Sequence, residues 1–164
     1  MTEATPPAKE FSALLERFTR AVEAGDGTAL AALFTPQGVY HDTFYGEFTG
    51  REAIREMLEQ HFWRDAQAFK WTMQAPVCDG RTGYASWDFS YTSSQPHSAG
   101  TRVVARGMSR FELQGELIVR YEEMFEGARA LVQLDMPPEK LARWLRKGAE
   151  ALRADPALKS HLEP

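Results

Sequence analysis

Two carboxylates, Asp42 and Glu123, stand where the sequence suggests proton-transfer chemistry. Glu123 belongs to the run Leu117–Phe125, in which apolar and charged residues alternate. Side chains two apart on a strand point to the same face, so Glu123 lies between Tyr121 and Phe125 on the inner face of a predicted strand. A carboxylate in such surroundings is costly to ionise, because burial disfavours the charged form.

Two interpretations of Glu123 follow from this placement. In an apolar pocket, burial would raise the pKa of the carboxyl group into a range useful for acid–base catalysis. Alternatively, Glu123 is bonded to a buried arginine or to a backbone amide and serves the fold alone. The alternation puts Val119 on the inner face beside Glu123 and Arg106, Arg110 and Arg120 on the outer face, so no inward arginine is expected as a partner.

Asp42 is the second candidate acid or base. It lies on a predicted strand, residues 39–44, and shares one face of that strand with Tyr40. In a pocket, the Tyr40 hydroxyl could donate a hydrogen bond to a substrate oxygen. The alternative is an aspartate that accepts hydrogen bonds from its own turn, before the loop that contains Gly46. A third acid, Asp88, alternates with aromatic residues and is predicted to be a solvated charge.

Aromatic and small polar side chains supply the remaining candidates for substrate contact. His61 falls on the apolar side of a predicted helix, where a histidine is more often a core or rim residue than a catalyst, although it could reach a pocket. The other candidates share the inner faces of the predicted strands: Trp71, Trp87, Phe89, Ser109 and Tyr121.

Several chemistries have no motif in this sequence. No two histidines stand at metal-ligand spacing, and neither a metal nor another cofactor is predicted. A glycine-rich phosphate loop and a dinucleotide fingerprint are both missing. The one cysteine, Cys78, excludes an internal disulfide framework.

The overall composition is that of one globular domain. The 164 residues include 43% hydrophobic and 26% charged residues, enough to bury a sizeable core. The net charge of −4 disfavours nucleic acid and anionic membranes, since phosphate binding needs a basic surface. No apolar run approaches the ~20 residues of a membrane helix, and no signal peptide is recognisable. A cytoplasmic protein without nucleic-acid or membrane partners is therefore expected.

Helices are predicted in the first third of the chain, where apolar residues recur at helical spacing. The first helix follows a flexible tail, residues 1–9, and ends at Gly25, because glycine readily adopts the positive φ of a helix end. Asp26 can cap a second helix, which Pro36 and Gly38 terminate.

The period of the apolar residues changes from 3.6 to 2 beyond residue 68. A capping box over residues 49–52 predicts a third helix before this change. After it, antiparallel strands are expected, with a hairpin at residues 79–80 and paired strands over residues 103–111 and 117–125. A last helix is predicted over residues 138–154, so the order of elements indicates an α+β domain rather than alternating βαβ units.

Three local patterns, together with the order of elements, resemble the nuclear transport factor 2-like superfamily, in its SnoaL-like, ketosteroid isomerase-like and limonene epoxide hydrolase-like branch. The patterns are Glu23-Ala-Gly-Asp26 with Leu33-Phe34, Val39-x-x-Asp42-x-Phe44 with Gly50-Arg-Glu-Ala-Ile54, and Gly115-Glu-Leu-Ile118 with Tyr121-Glu-Glu123-Met-Phe125-Glu126. The resemblance implies a cone-shaped, curved antiparallel sheet, wrapped by the N-terminal helices around an apolar pocket, over residues 10–134. Residues 135–164 would add a helical extension, and a homodimer would form through the outer sheet face.

The resemblance also implies roles for individual residues. Asp42 matches the general base of ketosteroid isomerases, and Glu123 matches an aspartate that acts as acid or base in limonene epoxide hydrolases and many SnoaL-like proteins. Ser86 stands where the hydrolases have an essential arginine, and Phe18 and Gly107 stand where the isomerases have their oxyanion hole. These departures argue against both of those specific reactions.

Together, these observations predict a small-molecule enzyme of general acid–base type, such as an isomerase, a cyclase or a dehydratase. Its substrate would be apolar, or polyketide- or steroid-like, and Asp42 and Glu123 would move protons. The alternative is a non-catalytic protein of the same fold that binds a hydrophobic ligand or acts as a dimeric interaction module. The fold hosts both kinds of protein, so fold alone does not decide between them.

Overall fold

The helices and strands of the protein follow the predicted α+β order in a computed structural model, which describes residues 7–163. The first part of the chain forms α1 (Pro7–Ala24), α2 (Gly27–Ala32), β1 (Phe34–Asp42), β2 (Gly46–Thr49) and α3 (Arg51–Glu56). A π-helical segment (Met57–Phe62) and α4 (Trp63–Asp65) lead to the long strands β3 (Ala66–Cys78), β4 (Thr82–Ser93), β5 (Arg102–Gln114) and β6 (Leu117–Phe125). The chain continues through α5 (Gly127–Gln133), α6 (Pro138–Ala154) and a 3-10 segment (Pro156–His161).

One curved, open sheet contains all the strands, in the order β2-β1-β6-β5-β4-β3. Neighbouring strands are antiparallel, as predicted, with one exception: β1 and β6 run parallel, with Tyr40 paired to Tyr121. Parallel strands need a long crossover connection, which the rest of the sheet supplies here. The parallel pair escaped prediction because it joins segments about eighty residues apart, which no local pattern links.

Aromatic side chains form the core between α1 and the inner face of the sheet, the face that α1 covers. Phe18 of α1 lies at the centre of this core, fully buried. Its ring contacts five others: Phe34, Tyr40, Trp71, Phe111 and Tyr121. The core thus holds the inner faces of β1, β3, β5 and β6 in fixed positions relative to one another.

The predicted alternation along β5 is confirmed. Val103, Ser109 and Phe111 are buried, whereas the Arg106 side chain on the other face is 83% exposed. The prediction for the start of β6 is wrong at Val119, because Ile118 is the residue that reaches the core.

A β-bulge explains the error at Val119. Arg120 pairs with Glu112 and Ile118 pairs with Leu113, so Val119 is an extra residue without a partner on β5. A bulge shifts the two-residue alternation by one position. From Arg120 onward the predicted alternation holds, and Tyr121 is fully buried.

Pro36 and Gly38 lie inside β1 and do not terminate α2, which ends earlier, at Ala32. Between Phe34 and Val39 the pairing of β1 with β6 is interrupted by a register shift, and β2 pairs with β1 only from Val39 onward. A proline lacks a backbone N–H and is tolerated where the hydrogen-bond ladder is broken. Pro36 therefore marks a gap in strand pairing.

The end of the first helix and the cap of the second are confirmed, but the capping box is not. Gly25 has a φ of 66° and ends α1, and Asp26 Oδ1 accepts a hydrogen bond from the Ala29 N–H at 2.8 Å. At α3 the residue before the helix is Gly50, whose N–H donates to the Gly38 carbonyl of β1 at 2.8 Å. No side-chain hydrogen bond caps α3, so the predicted reciprocal bonds over residues 49–52 do not form.

The chain ends also differ from prediction in detail. Helix α1 begins at Pro7, so residues 7–9 of the predicted tail are helical, while residues 1–6 lie outside the described residues. Helix α5 was not predicted at all. Helix α6 has the predicted bounds; its Trp144 ring lies 5.9 Å from that of Phe44, whereas Leu145 is 47% exposed. Of the helices that the structure describes, none is long and apolar enough to cross a membrane.

The close approach of β5 to its neighbours can be tested at Gly107. A Cβ atom there would lie 2.7 Å from the Met124 carbonyl oxygen and 2.5 Å from the Trp87 indole. Gly107→Ala should therefore destabilise the protein by about 1–3 kcal/mol in urea denaturation. The matched control is Gly148→Ala on α6, where a Cβ atom meets nothing within 4 Å. This substitution should raise the free energy of unfolding by about 0.5–1 kcal/mol, because alanine is favoured over glycine inside a helix. Equal stability of the two variants would contradict this packing.

Candidate active site

An apolar pocket lies beside the core and is formed by the inner face of the sheet together with the segments after β1 and α5. Its cavity volume is about 90 Å³. Of the nine predicted site residues, six line it: Tyr40, Asp42, Trp71, Trp87, Phe89 and Glu123. Aromatic rings from other positions complete most of the wall: Phe44, Tyr45, Phe62, Phe69, Tyr91 and Phe125.

The parallel pairing of β1 with β6 brings the two candidate carboxylates together. Tyr40 lies beside Tyr121, with ring centroids 4.5 Å apart. Asp42 and Glu123 each follow two residues later on these strands, and side chains two apart share a face. The Thr43 N–H donates to Glu123 Oε1 at 3.2 Å, which fixes the glutamate next to Asp42.

One carboxylate oxygen of Asp42 caps its own turn, and the other is free of hydrogen bonds within residues 7–163. Oδ1 accepts hydrogen bonds from the Phe44 N–H at 2.8 Å and the Tyr45 N–H at 2.7 Å, which is the predicted turn. Oδ2 makes no hydrogen bond within residues 7–163. The residue is 5% exposed. Burial raises the pKa of Asp42, and the two backbone donors oppose that rise.

Glu123 has the properties expected of a proton-transfer group. Burial raises its pKa to about 7, and the negative charge of Asp42 acts in the same direction. Hydrogen bonds from Thr43 and from the Tyr121 hydroxyl oppose this shift, since they stabilise the carboxylate. A group with a pKa near 7 exchanges its proton readily at neutral pH.

A chain of buried hydrogen bonds supports Glu123 from behind the pocket wall. Trp87 Nε1 donates to Ser109 Oγ at 2.8 Å, Ser109 Oγ donates to the Tyr121 hydroxyl at 3.0 Å, and that hydroxyl donates to Glu123 Oε2 at 2.9 Å. An indole N–H can only donate, which fixes the direction of the first bond of this chain. Ser109 and Tyr121, predicted as substrate contacts, do not line the pocket and instead hold Glu123.

The arginines that the alternation predicts on the outer sheet face lie there. Each of the three predicted arginines binds an acid on that face: Arg106 binds Asp88, Arg110 binds Glu122 and Glu112, and Arg120 binds Glu122 and Glu47. Asp88 is thus the predicted surface charge. In the part of the chain that is described, Glu123 has no ion-pair partner, so nothing offsets the cost of ionising it except its hydrogen bonds.

His61 does not line the pocket, but its ring stacks on that of Tyr45, which does line it. The two ring centroids are 5.5 Å apart. Among the residues that sequence reasoning missed, Phe69 and Tyr91 could have been found, because each lies two positions from a predicted aromatic residue. Asp65 and Leu134 gave no such signal, since they come from short helices whose position depends on the folded sheet. Within residues 7–163, no group of three or more His, Cys, Asp or Glu side chains is arranged to hold a metal ion.

The raised pKa of Glu123 makes stability depend on pH. The folded protein keeps the Glu123 proton up to about pH 7, whereas an unperturbed glutamate loses it near 4.5. The stabilisation of the folded state by the Glu123 proton is therefore complete below pH 4.5 and is lost as the pH rises through 7. Urea denaturation from about pH 5 to about pH 8 should show a decline of about 1–3 kcal/mol, and Glu123→Gln should abolish that decline without unfolding the protein.

Two variants should move the pKa of Glu123 in opposite directions. Asp42→Asn removes a neighbouring negative charge and should lower the pKa, whereas Tyr121→Phe removes a donor to the carboxylate and should raise it. The carbon-13 resonance of the Glu123 carboxyl group reports both shifts. An unchanged pKa in both variants would contradict the contacts described for Glu123.

Solved structures of other proteins share this fold. A protein with a ketosteroid isomerase-like fold from Catenulispora acidiphila, in complex with trimethylamine, is 19% identical, covering 77% of this chain and 95% of that chain, with a TM-score of 0.68. An LEH-like epoxide hydrolase from M. tuberculosis is 16% identical, and the match covers 79% of this chain and 92% of that chain, with a TM-score of 0.64. A candidate SnoaL-like polyketide cyclase from a Jannaschia species is 11% identical, covering 84% and 100%, with a TM-score of 0.69.

At these identities, the likeness to solved structures establishes the fold alone. A search of the curated proteins found no match. The model of a family described as a SnoaL-like domain matches residues 15–121, from the middle of α1 to the middle of β6. That match covers more than half of the chain and includes Asp42 and the elements that form most of the pocket. The chain therefore belongs to the SnoaL-like domain family.

Proposed function

We propose that this SnoaL-like protein is an enzyme of general acid–base type that acts on a small apolar molecule. The observation that carries the proposal is the pair of carboxylates, Asp42 and Glu123, in the wall of one aromatic pocket. No cation neutralises Glu123 within the described residues, so its proton is available at neutral pH. Two carboxyl groups in unlike environments commonly divide the roles of acid and base.

Asp42 is suited to act as the base in this proposal. Its Oδ1 is held by two backbone donors, which fixes the side chain and leaves Oδ2 for the substrate. Oδ2 would remove a proton from a carbon next to a carbonyl group, and the electron pair of that C–H bond would form the enol. Glu123 would give its proton to the carbonyl oxygen, and reversal at the same or another carbon would complete an exchange or an isomerisation.

The comparisons support an enzyme without naming its reaction. Proteins of the same fold are described as an epoxide hydrolase and as a candidate polyketide cyclase. Epoxide hydrolysis is disfavoured for this chain, because Ser86 stands where the resemblance places an essential arginine of the hydrolases. A polyketide-like or other apolar carbonyl compound is the substrate class that we favour.

Hydrogen–deuterium exchange tests this function without knowledge of the natural substrate. One-ring ketones such as cyclohexanone, incubated in D₂O, should lose their α-proton signals faster with the protein than in buffer. Asp42→Asn and Glu123→Gln should each slow this exchange by about 10²–10⁴-fold. Asp88→Asn, a carboxylate on the outer face, is the matched control and should leave the rate unchanged. Binding without any accelerated exchange would favour the non-catalytic ligand-binding alternative.

We also propose that the protein forms a homodimer through the outer sheet face. Met108 and Met124 pair directly across β5 and β6, and they are 52% and 80% exposed. Two such residues side by side form an apolar patch that a symmetric partner could cover.

Sedimentation velocity tests the dimer. The protein should sediment as a dimer at a concentration of about 50 μM. Met124→Lys should convert the dimer to a monomer. Leu152→Lys is the control, since Leu152 is also apolar and 62% exposed but lies on α6, outside the sheet. A monomeric parent protein would refute the dimer.

A further inference from the structure

One face of α6 is left largely uncovered by the rest of the protein. Near the start of the helix, Trp144 lies close to Gly127 and to the ring of Phe44. From Leu145 to the end of the helix, every residue is exposed. Leu145 is 47% exposed and Leu152 is 62% exposed. Single exposed leucines are common on protein surfaces, so the residues around these two decide whether the face has a partner.

The apolar residues of α6 form one continuous row. A helix turns by about 100° per residue, so that residues three or four positions apart lie on the same side. The row consists of these residues: Leu141, Leu145, Gly148 and Leu152. A Cβ atom at Gly148 would meet nothing within 4 Å. The row is therefore open at its middle as well as at its end.

Basic side chains border this row on both sides. Two of them lie along each edge: Lys140 and Lys147, and Arg146 and Arg153. The two acids of the helix, Glu139 and Glu150, lie on the opposite side. With Arg143, the helix has five basic residues and a net charge of +3. Within residues 7–163, none of these five forms an ion pair.

We propose that α6 binds flat on an anionic lipid surface, with Leu145 and Leu152 among the acyl chains and the bordering lysines and arginines at the headgroup phosphates. A helix with an apolar face and a basic polar face binds at the membrane interface in this way. Long basic side chains can extend along the apolar face and keep their charge in the headgroup layer. The acids, on the opposite side, point away from the lipid.

The charge of α6 itself decides this interaction. The net charge of −4 of the whole chain predicts no membrane partner, but screening limits the attraction to charges within about 10 Å of the lipid surface. For α6 that local charge is positive. The proposal is independent of the proposed function, since the residues that line the pocket come from the elements before α6.

A second copy of the chain is a less suitable partner for this face. In a symmetric pair of helices, the residues that border one apolar row meet those that border the other. Here both borders are basic, and like charges across an interface oppose association. An anionic lipid surface, in contrast, is complementary to both borders at once.

Co-sedimentation with lipid vesicles tests the proposal. The partition coefficient should be at least about tenfold higher for vesicles with about 30% phosphatidylserine than for pure phosphatidylcholine vesicles. Binding should weaken when the salt concentration rises from about 0.05 M to about 0.5 M, because salt screens exposed charges. Leu152→Lys places a charge in the apolar row and should abolish binding. Equal partitioning onto the two kinds of vesicle, or none onto either, would overturn the proposal.

A matched pair of variants tests the arrangement of the charges. Arg146→Gln and Arg143→Gln remove the same charge from the same helix, but Arg146 borders the apolar row and Arg143 lies opposite it. Arg146→Gln should weaken binding to the anionic vesicles about fivefold, whereas Arg143→Gln should change it less than about twofold. Equal losses would contradict the proposed orientation. If Leu152→Lys converts a dimer to a monomer in sedimentation velocity, the face binds a second copy and the proposal is wrong.

Discussion

The parallel, in-register pairing of β1 with β6 is the constraint on which the candidate site depends. It sets Tyr40 beside Tyr121 in the core and thereby sets Asp42 beside Glu123 at the pocket. A slip of one residue would turn every side chain of a strand to the other face. Glu122 would then enter the pocket and leave Arg110, its partner on the outer face. The register is thus fixed by the burial of two tyrosines and by ion pairs outside the sheet.

The aromatic wall and the hydrogen bonds behind it act on Glu123 in opposite directions. The wall removes water and favours the neutral acid, and the charge of Asp42 adds to that effect. The donors of Thr43 and Tyr121 favour the carboxylate, so that the pKa settles near 7. Trp87 donates to Ser109, and Ser109 donates to Tyr121. The Trp87 indole, part of the pocket wall, therefore also begins the hydrogen-bond chain that stabilises the Glu123 carboxylate. One set of side chains therefore fixes both the shape of the pocket and the acidity of its glutamate.

Local patterns in the sequence predicted what local forces determine. The bounds of β6 and α6, the cap at Asp26 and the alternation along β5 all depend on neighbours within a few residues. The parallel strand pair, the bulge at Val119 and helix α5 depend on contacts between distant segments, and no local pattern records them. Glu123 could be placed on the inner face because alternation is local. The chain of bonds from Trp87 could not be foreseen, because its members come from three strands.

The positions at which this sequence departs from the isomerase-like pattern have structural uses of their own. Phe18, which stands where an oxyanion-hole tyrosine is expected from the resemblance, is the centre of the aromatic core and holds Tyr40 and Trp71 at its sides. Gly107, which stands where an acid is expected, pairs with Trp87 and leaves room for its indole. An acid at that position would collide with the indole that begins the bonds to Glu123. Phe18 and Gly107 thus serve the packing of the aromatic core and of Trp87, at positions where the resemblance implies hydrogen-bond donors.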